Sequence, residues 1–290
     1  MKPAPFAYHA PGSLRAALDL LAALENPRLL AGGQSLMPML NYRLATPDHL
    51  IDLGNIEELH GIDVTAAGLG IGSMTTQRTI QNSPLVARHC PLLIEALDHV
   101  GHQTTRNRGT IGGSLCHLDP AAELPLVSQV LEPTLTIAGR VGVRQIPFAA
   151  FPVGQLTTQL EPDEILTRVT FPPQPANTHT AFEEFARRPG DFAIVAVAVQ
   201  ITKGAAGLVA DARIAVGGIE PVAVRLREAE RLLVGQPWSA DRVSAVLDLA
   251  ESHPAEGDHN NPAEYRQHLV KVLAGRAFAR VQAKLGTVDA

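Results

Sequence analysis

The sequence is poor in cysteine, since it has only Cys90 and Cys116 among 290 residues. A disulfide framework and a four-cysteine zinc or iron–sulfur site each need more thiols than this. The two cysteines also stand in dissimilar sequence surroundings. Any iron–sulfur chemistry linked to this chain would therefore have to be carried by a partner.

Long apolar runs and a strong charge of one sign are lacking too. No run approaches the roughly 20 apolar residues that a membrane-spanning helix needs, and the formal net charge is only −5. The first residues, MKPAPFAYHAPGS, contain prolines where a signal peptide has its apolar segment. We therefore expect a cytoplasmic protein with no membrane span and no nucleic-acid partner.

The sequence also lacks the common nucleotide-binding fingerprints. Gly68, Gly70 and Gly72 come nearest to a Rossmann motif, but the third glycine spacing and the following amphipathic helix are missing. No Walker A motif occurs. A nucleotide bound by this chain must therefore be held by another fold.

What the sequence does contain is a mixture of helical periodicity and short β-rich runs, which predicts an α+β protein. Ser13 is placed to cap a helix over residues 14–24. Residues 172–175 hold three prolines, which resist both helix and strand and indicate a linker. We predict an N-terminal domain over residues 1–173 and a C-terminal domain over residues 178–290.

Two glycine-rich segments share a pattern, "AGGQS" at residues 31–35 and "TIGGS" at residues 110–114. Glycines let successive backbone N–H groups converge on an anion, and the terminal serine adds a hydroxyl donor. Two such loops can hold a diphosphate from two sides. Each can equally be an ordinary surface turn, and the residues alone leave both interpretations open.

Cys116, His117 and Asp119 directly follow the second glycine segment. In an extended segment the adjacent Cys116 and His117 point to opposite faces, which disfavours one shared metal ion. No local signature of a cysteine nucleophile is present. We therefore predict no metal site and no catalytic residue here, with Cys116 as packing and His117 as a hydrogen-bonding group near a ligand.

Arginines and one aromatic residue complete the candidates. Arg106 and Arg108 precede the second glycine segment and can neutralise a phosphate, or stand in a solvated loop or ion pair. Phe192 ends "RRPGDF" before a buried-looking strand. An aromatic ring there can cover a planar ligand or pack in the core.

Taken together, several segments resemble the FAD-binding medium subunit of molybdenum hydroxylases, the family of carbon monoxide dehydrogenase, quinoline oxidoreductase, nicotine dehydrogenase and the xanthine dehydrogenase flavin domain. The resemblance covers the chain from Phe6 to about Val281. The segments that carry it are, in order, "AGGQSLMPMLNYRLATPDHLIDL", "IGSMTTQ", "RNRGTIGGSLCHLDPAAELP", "RRPGDF" and "NPAEYRQHLVKVLAGRAFARV".

The resemblance implies an FAD-binding domain of the PCMH, or vanillyl-alcohol-oxidase, type with subdomains at about residues 1–55 and 56–173. It implies a C-terminal α+β domain with a small antiparallel sheet. It places the FAD diphosphate against both glycine segments, the adenosine-side hydroxyls near Asp119 or Glu123, and the flavin near Leu166. The FAD-binding residues it implies are Ala31, Gly32, Gly33, Gln34, Ser35, Leu36, Thr110, Ile111, Gly112, Gly113, Ser114, His117, Asp119, Glu123, Leu166 and Phe192.

The family also implies a function and partners. FAD on this chain would receive electrons from 2Fe–2S clusters of a small subunit, and a large molybdopterin-binding subunit would oxidise the substrate. A dimer of such heterotrimers is expected. A stand-alone FAD-dependent reductase or oxidase and a scaffold subunit that has lost FAD are the alternatives, although the intact glycine segments argue against the scaffold.

Three residues depart from the family pattern. Ser114 stands where Asn is common, which leaves one hydroxyl in place of an amide. Phe192 stands where some relatives have Tyr, so a phenolic hydrogen bond is lost while ring packing is kept. Cys116 stands where Ala is common, which supports a packing role.

Overall fold

The computed structural model describes residues 1–286 of the chain. The strands are β1 (Ala7–His9), β2 (Pro27–Leu30), β3 (His49–Asp52), β4 (Ile62–Thr65), β5 (Gly68–Gly72), β6 (Thr134–Ala138), β7 (Val143–Pro147), β8 (Pro152–Gly154), β9 (Thr157–Thr158), β10 (Ile165–Phe171), β11 (Thr178–Ala186), β12 (Ala193–Lys203), β13 (Val209–Gly217) and β14 (Val224–Arg225). The α-helices are α1 (Leu14–Ala23), α2 (Leu36–Asn41), α3 (Gln77–Gln81), α4 (Pro84–His89), α5 (Pro91–Leu97), α6 (Gln103–Arg106), α7 (Ile111–His117), α8 (Glu123–Leu131), α9 (Arg227–Arg231), α10 (Ala240–Glu251) and α11 (Ala263–Gly286).

The chain forms two compact units whose segments alternate along the sequence. The first unit consists of Met1–Arg88, His102–Leu118 and Glu132–Pro172. The second consists of His89–Gly101, Asp119–Leu131 and the chain from Pro173 onward. The domain boundaries at residues 173 and 178 stay a prediction, and the last four residues of the predicted C-terminal domain lie outside the described residues.

The first unit contains a parallel and an antiparallel sheet. The parallel sheet has the order β1-β3-β2, and α1 crosses between β1 and β2. Ser13 caps α1 as predicted, because its hydroxyl accepts a hydrogen bond from the N–H of Ala16 at 3.3 Å. The antiparallel sheet has the order β4-β5-β10-β6-β7.

The apolar face of α1 and the buried side of β3 share one core cluster. Its buried members are Ala17, Leu18, Leu21, Ile51, Leu53, Ile56, Leu59, Met74, Ala138 and Ile165. This core fixes the end of β2, because Leu29 and Ala31 pack against it. The first glycine segment therefore starts from a well-anchored strand.

The second unit is built on one antiparallel sheet with the order β11-β12-β13-β14. Helix α11 contacts β11 and β12, while α5 contacts β11 and α8 contacts β12, β13 and β14. Since helices contact this sheet along much of its length, the central strand β12 is buried at nearly every position. Its apolar sequence, AIVAVAVQITK, fits that environment.

The predicted α+β class is confirmed, with some differences in detail. Residues 110–114 form the start of α7 and not a glycine turn. The three prolines of residues 172–175 lie between β10 and β11, outside both strands. Across residues 1–286, no helix combines the length and the apolar character needed to span a bilayer.

Candidate functional site

The two glycine segments lie side by side in the first unit. A Cβ atom added to Gly113 would lie 3.3 Å from the Cβ of Ala31. A Cβ added to Gly32 would overlap the backbone carbonyl of Arg108, and it would lie 2.8 Å from the Cα of Gly109. The backbones therefore meet at a distance that no residue with a side chain permits at position 32.

The first segment presents a row of free backbone donors. It follows β2, and Gly33 adopts the left-handed region with φ of +73°. Within the described part of the chain, the N–H groups of Gly32, Gly33, Gln34 and Ser35 donate to no acceptor. Consecutive N–H groups of this kind form a concave surface that suits an anion.

The second segment does not present its amides in the same way. Thr110 caps α7, because its hydroxyl accepts a hydrogen bond from the N–H of Gly113 at 3.0 Å. The N–H of Ile111 donates to the carbonyl of Thr75 at 3.2 Å, and that of Gly112 donates to Ser73 at 2.8 Å. The amides of Ile111, Gly112 and Gly113 are therefore occupied within the fold, and the contact of either segment with a diphosphate stays a prediction.

The segment "IGSMTTQ" packs against the first turn of α7, a contact that the spacing of residues in the sequence did not predict. A Cβ on Gly112 would lie 2.6 Å from the Cβ of Ser73, so this helix turn rests directly on the strand end. The hydroxyl of Ser73 and the Oε1 atom of Gln77 are buried without a hydrogen-bond partner among the described residues. Unsatisfied polar atoms beside this backbone fit a site completed by a polar ligand.

Side chains at the surface of α7 differ in their chemistry. The side chains of Ser114 and His117 are partly exposed and form no hydrogen bond to any described residue, so both can reach a ligand. Cys116 and His117 follow each other on a helix, which corrects the premise of an extended segment. Burial raises the pKa of the Cys116 thiol to about 12, so the sulfur stays protonated at neutral pH.

Arg108 and Leu166 differ in their accessibility. Arg108 is exposed and, among the described residues, its guanidinium forms no ion pair, whereas Arg106 donates to Gln81 at 3.2 Å. Leu166 lies on β10 opposite Ile137 and is only 4% exposed. Arg108 can therefore reach a phosphate, while Leu166 offers little surface of its own to a ligand.

Three of the predicted site residues belong to the second unit. Asp119 forms a turn in which its Oδ1 atom accepts a hydrogen bond from the N–H of Ala121 at 2.9 Å. Glu123 begins α8 and is 7% exposed. Phe192 is 65% exposed just before β12, which leaves its ring face available.

Glu184 of β11 is a buried carboxyl group that sequence inspection missed. Its side chain is 4% exposed and lies 3.9 Å from the Nδ1 atom of His99. Burial and the nearby Glu123 raise the pKa of Glu184 to about 8. The sequence signal was a glutamate on the strand face that also carries the buried Phe182. Across residues 1–286 no three His, Cys, Asp or Glu side chains gather as a metal site would require.

Comparison with known families identifies the family to which the chain belongs. Residues 4–174 match the FAD binding domain in molybdopterin dehydrogenase, and residues 180–281 match the CO dehydrogenase flavoprotein C-terminal domain. The chain therefore belongs to the family of FAD-binding flavoprotein subunits of molybdenum hydroxylases. The resemblance drawn from the sequence segments is confirmed.

Individual relatives extend over the full chain. The nicotine 6-hydroxylase medium subunit of Paenarthrobacter nicotinovorans is 39% identical over 285 residues, covering 98% of this chain and 100% of the relative. The carbon monoxide dehydrogenase medium chain of Hydrogenophaga pseudoflava is 36% identical, covering 96% and 97%. The crystal structure of quinoline 2-oxidoreductase from Pseudomonas putida 86 superposes with a TM-score of 0.93 at 38% identity, covering 98% of this chain and 100% of that one.

Proposed function

We propose that the chain is the FAD-binding electron-transfer subunit of a heterotrimeric molybdenum hydroxylase. It takes electrons from 2Fe–2S clusters of a small partner subunit and passes them to an external acceptor. The observation that carries the proposal is the row of amides at Gly32–Ser35, which have no acceptor among the described residues and lie against the backbone of residues 108–109. Full-length relatives that are medium subunits support it.

The residues of the first unit fit an FAD diphosphate. The N–H groups of Gly32, Gly33, Gln34 and Ser35 donate to phosphate oxygens, and the Ser114 hydroxyl adds a donor from α7. The guanidinium of Arg108 compensates the phosphate charge. Thr110 acts indirectly, because its cap holds the first turn of α7 in place.

The other predicted contacts hold the two ends of the cofactor. Asp119 or Glu123 accepts hydrogen bonds from the adenosine-side hydroxyls. The exposed ring of Phe192 packs on the flavin, and Leu166 shapes the apolar surface beside it. FAD, when bound, supplies the redox chemistry, and the chain supplies placement and an electrostatic environment. Because the flavin supplies the chemistry, this role requires no acid–base pair from the chain.

The assembly follows from the same proposal. A large molybdopterin-binding subunit oxidises an N-heterocycle or another small molecule, and the expected complex is a dimer of heterotrimers. The relatives named for nicotine and quinoline chemistry support this substrate class. A cytoplasmic location is also a proposal, which cell fractionation followed by detection of the chain tests.

Two measurements test the function. The purified full chain is incubated with FAD and desalted, and its visible absorption is recorded; we expect retained flavin at about one per chain. A tagged copy expressed from its native host is then captured, and the co-purifying subunits are analysed for molybdenum and iron. A colourless chain contradicts FAD binding, and a flavin-loaded chain without partners favours a stand-alone reductase or oxidase.

A further inference from the structure

The parallel sheet of the first unit carries polar side chains that the proposed cofactor contacts do not use. Its strands run in the order β1-β3-β2, so their carboxyl ends lie at one edge of the sheet. The first glycine segment leaves this edge directly from β2, and Asp52 ends the neighbouring β3. In open α/β sheets, ligands bind outside the carboxyl ends of the strands. Asp52 therefore stands beside the segment that is proposed to hold the FAD diphosphate.

Asp52 lies on the same side of the sheet as the glycine segment. It is the register partner of Leu30, and the N–H of Leu53 donates to the carbonyl of Leu30 at 3.0 Å. Register partners on adjacent strands project to the same face of a sheet. A Cβ on Gly33 would lie 3.4 Å from the Cδ1 atom of Leu30, so Gly33 lies on the side to which Leu30 points. The Asp52 carboxylate and the amides of the glycine segment therefore share that side.

A tyrosine fixes the orientation of this carboxylate. The hydroxyl of Tyr8 donates a hydrogen bond to the Oδ2 atom of Asp52 at 2.6 Å, and the N–H of Gly54 donates to its Oδ1 atom at 2.8 Å. An ionised carboxylate has about four lone-pair positions, so it can accept further hydrogen bonds beside these two. Tyr8 is 57% exposed, so its ring contributes little to the core. The main effect of its hydroxyl is therefore to hold Asp52.

The charges at this edge decide which group of a ligand Asp52 can bind. The hydrogen bond to Asp52 raises the pKa of the Tyr8 hydroxyl, and the positive charge of Arg108 acts against that rise. Arg108, whose carbonyl lies against Gly32, therefore brings its charge to the same edge. A carboxylate repels a diphosphate, but it accepts hydrogen bonds from neutral hydroxyl groups. FAD carries such hydroxyls on both sides of its diphosphate, on the ribose and on the ribityl chain.

We propose that Asp52, held in place by Tyr8, accepts a hydrogen bond from a sugar hydroxyl next to the FAD diphosphate. The inference rests on the proposed function, in which the adjacent glycine segment binds that diphosphate. Asp52 contacts the cofactor, and Tyr8 is a positioning residue. The chain order here is a strand, a glycine turn, a helix and an adjacent parallel strand that ends in an acid. Dinucleotide-binding folds use the same order to hold a ribose hydroxyl, although this chain lacks their glycine fingerprint.

The proposal predicts opposite effects of one substitution on two ligands. Asp52→Asn removes the charge and leaves one oxygen, which the N–H of Gly54 already uses. FAD should then lose a hydrogen bond to a charged group and bind about 10- to 150-fold more weakly. Inorganic pyrophosphate has no sugar hydroxyl, so it should bind Asp52→Asn as tightly as wild type or more tightly, because a repelling charge is removed. Tyr8→Phe keeps the carboxylate and should weaken FAD binding by a smaller factor, again without weakening pyrophosphate binding.

The experiment titrates the full-length, flavin-free chains with FAD by fluorescence, and with pyrophosphate, ADP and FMN by competition against FAD. ADP contains the ribose and FMN contains the ribityl chain, so the ligand that Asp52→Asn binds more weakly identifies the source of the hydroxyl. Asp19→Asn is the matched control, because it removes an equal charge from an exposed position of α1, which packs on the opposite face of β3. This control should bind every ligand as the wild type does. Thermal unfolding without flavin shows which variants fold.

The outcomes separate this inference from the proposed function. An Asp52→Asn chain that binds FAD as tightly as wild type, or more tightly, overturns the inference alone. Equal losses of affinity for FAD and for pyrophosphate also overturn it, because the substitution has then distorted the diphosphate site. If Asp52→Asn does not fold, the exposed Tyr8→Phe decides in the same way, and an unchanged FAD affinity overturns the inference. Failure of the wild-type chain to bind FAD overturns the proposed function and the inference with it.

Discussion

Replacing Gly32 with alanine tests whether the two adjacent glycine segments hold the FAD diphosphate. The added Cβ would overlap the carbonyl of Arg108 and lie 2.8 Å from the Cα of Gly109, while an ordinary contact starts at 3.4 Å. Both neighbours are backbone atoms, so they cannot rotate away as a flexible side chain can. The segments must therefore separate by at least about 0.6 Å, the difference between these two distances.

This displacement is large compared with the tolerance of a hydrogen bond. An N–H group about 2.9 Å from a phosphate oxygen would move to about 3.5 Å, which is outside the normal range. Each lost hydrogen bond to a charged group costs about 1.5–3 kcal/mol. One lost bond at Gly32–Ser35 therefore raises the FAD dissociation constant about 10- to 150-fold.

The assay compares Gly32→Ala with wild type by flavin fluorescence titration and by FAD retained after desalting. Gly12→Ala is the control, because nothing lies within 4 Å of a Cβ at this exposed position of the same unit. Thermal unfolding of the flavin-free chains shows whether Gly32→Ala still folds. A folded Gly32→Ala chain that retains FAD as tightly as wild type would refute the reasoning.

Three other predictions concern charge and packing. Cys116→Ala should leave the FAD content within about twofold of wild type, because the thiol stays protonated and unreactive. A large loss of FAD in the same desalting assay would support a reactive role for Cys116. Glu230→Gln should lower the free energy of unfolding by about 3 kcal/mol or more, measured by urea denaturation, because it removes the carboxylate charge that lies 2.6 Å from the buried guanidinium of Arg225. The exposed Asp19→Asn should cost less than about 1 kcal/mol in the same assay. Glu184→Gln should unfold at a higher urea concentration than wild type at about pH 8 and above. The raised pKa of the Glu184 carboxyl makes the wild type lose stability as pH rises from about 4.5 to 8. A difference in urea midpoint between the two proteins that is the same at pH 5 and pH 8 would contradict this.

Local signals in the sequence predicted the elements whose ends are set by their own residues. Ser13 was predicted to cap α1, and its hydroxyl accepts a hydrogen bond from the N–H of Ala16. Residues 172–175, whose prolines predicted a segment without helix or strand, lie between β10 and β11. The two glycine segments, which the family pattern assigned to one site, lie against each other in the fold, and their contact with FAD stays a prediction.

Tertiary contacts decided what the sequence did not predict. Two consecutive glycines disfavour a helix, yet Gly112 and Gly113 lie in the first turn of α7. The hydroxyl of Thr110 accepts a hydrogen bond from the N–H of Gly113, and the carbonyl of Ser73 accepts one from the N–H of Gly112. Ser73 lies far from this turn in the sequence. The buried acid at position 184 was equally hidden, because its burial depends on helices that are distant in sequence and pack against β11, such as α5.

The alternation of the two units along the chain has a consequence for biosynthesis. Helices α5 and α8 belong to the second unit but leave the ribosome before its sheet, since β11 begins only at Thr178. Their apolar residues, such as Leu92 and Val127, are buried in the folded chain and can be covered only after that sheet has been translated. A fragment ending at residue 173 would expose them, and a fragment starting there would lack them. The two units are therefore expected to be inherited, expressed and degraded as one piece, with chaperones shielding the early helices.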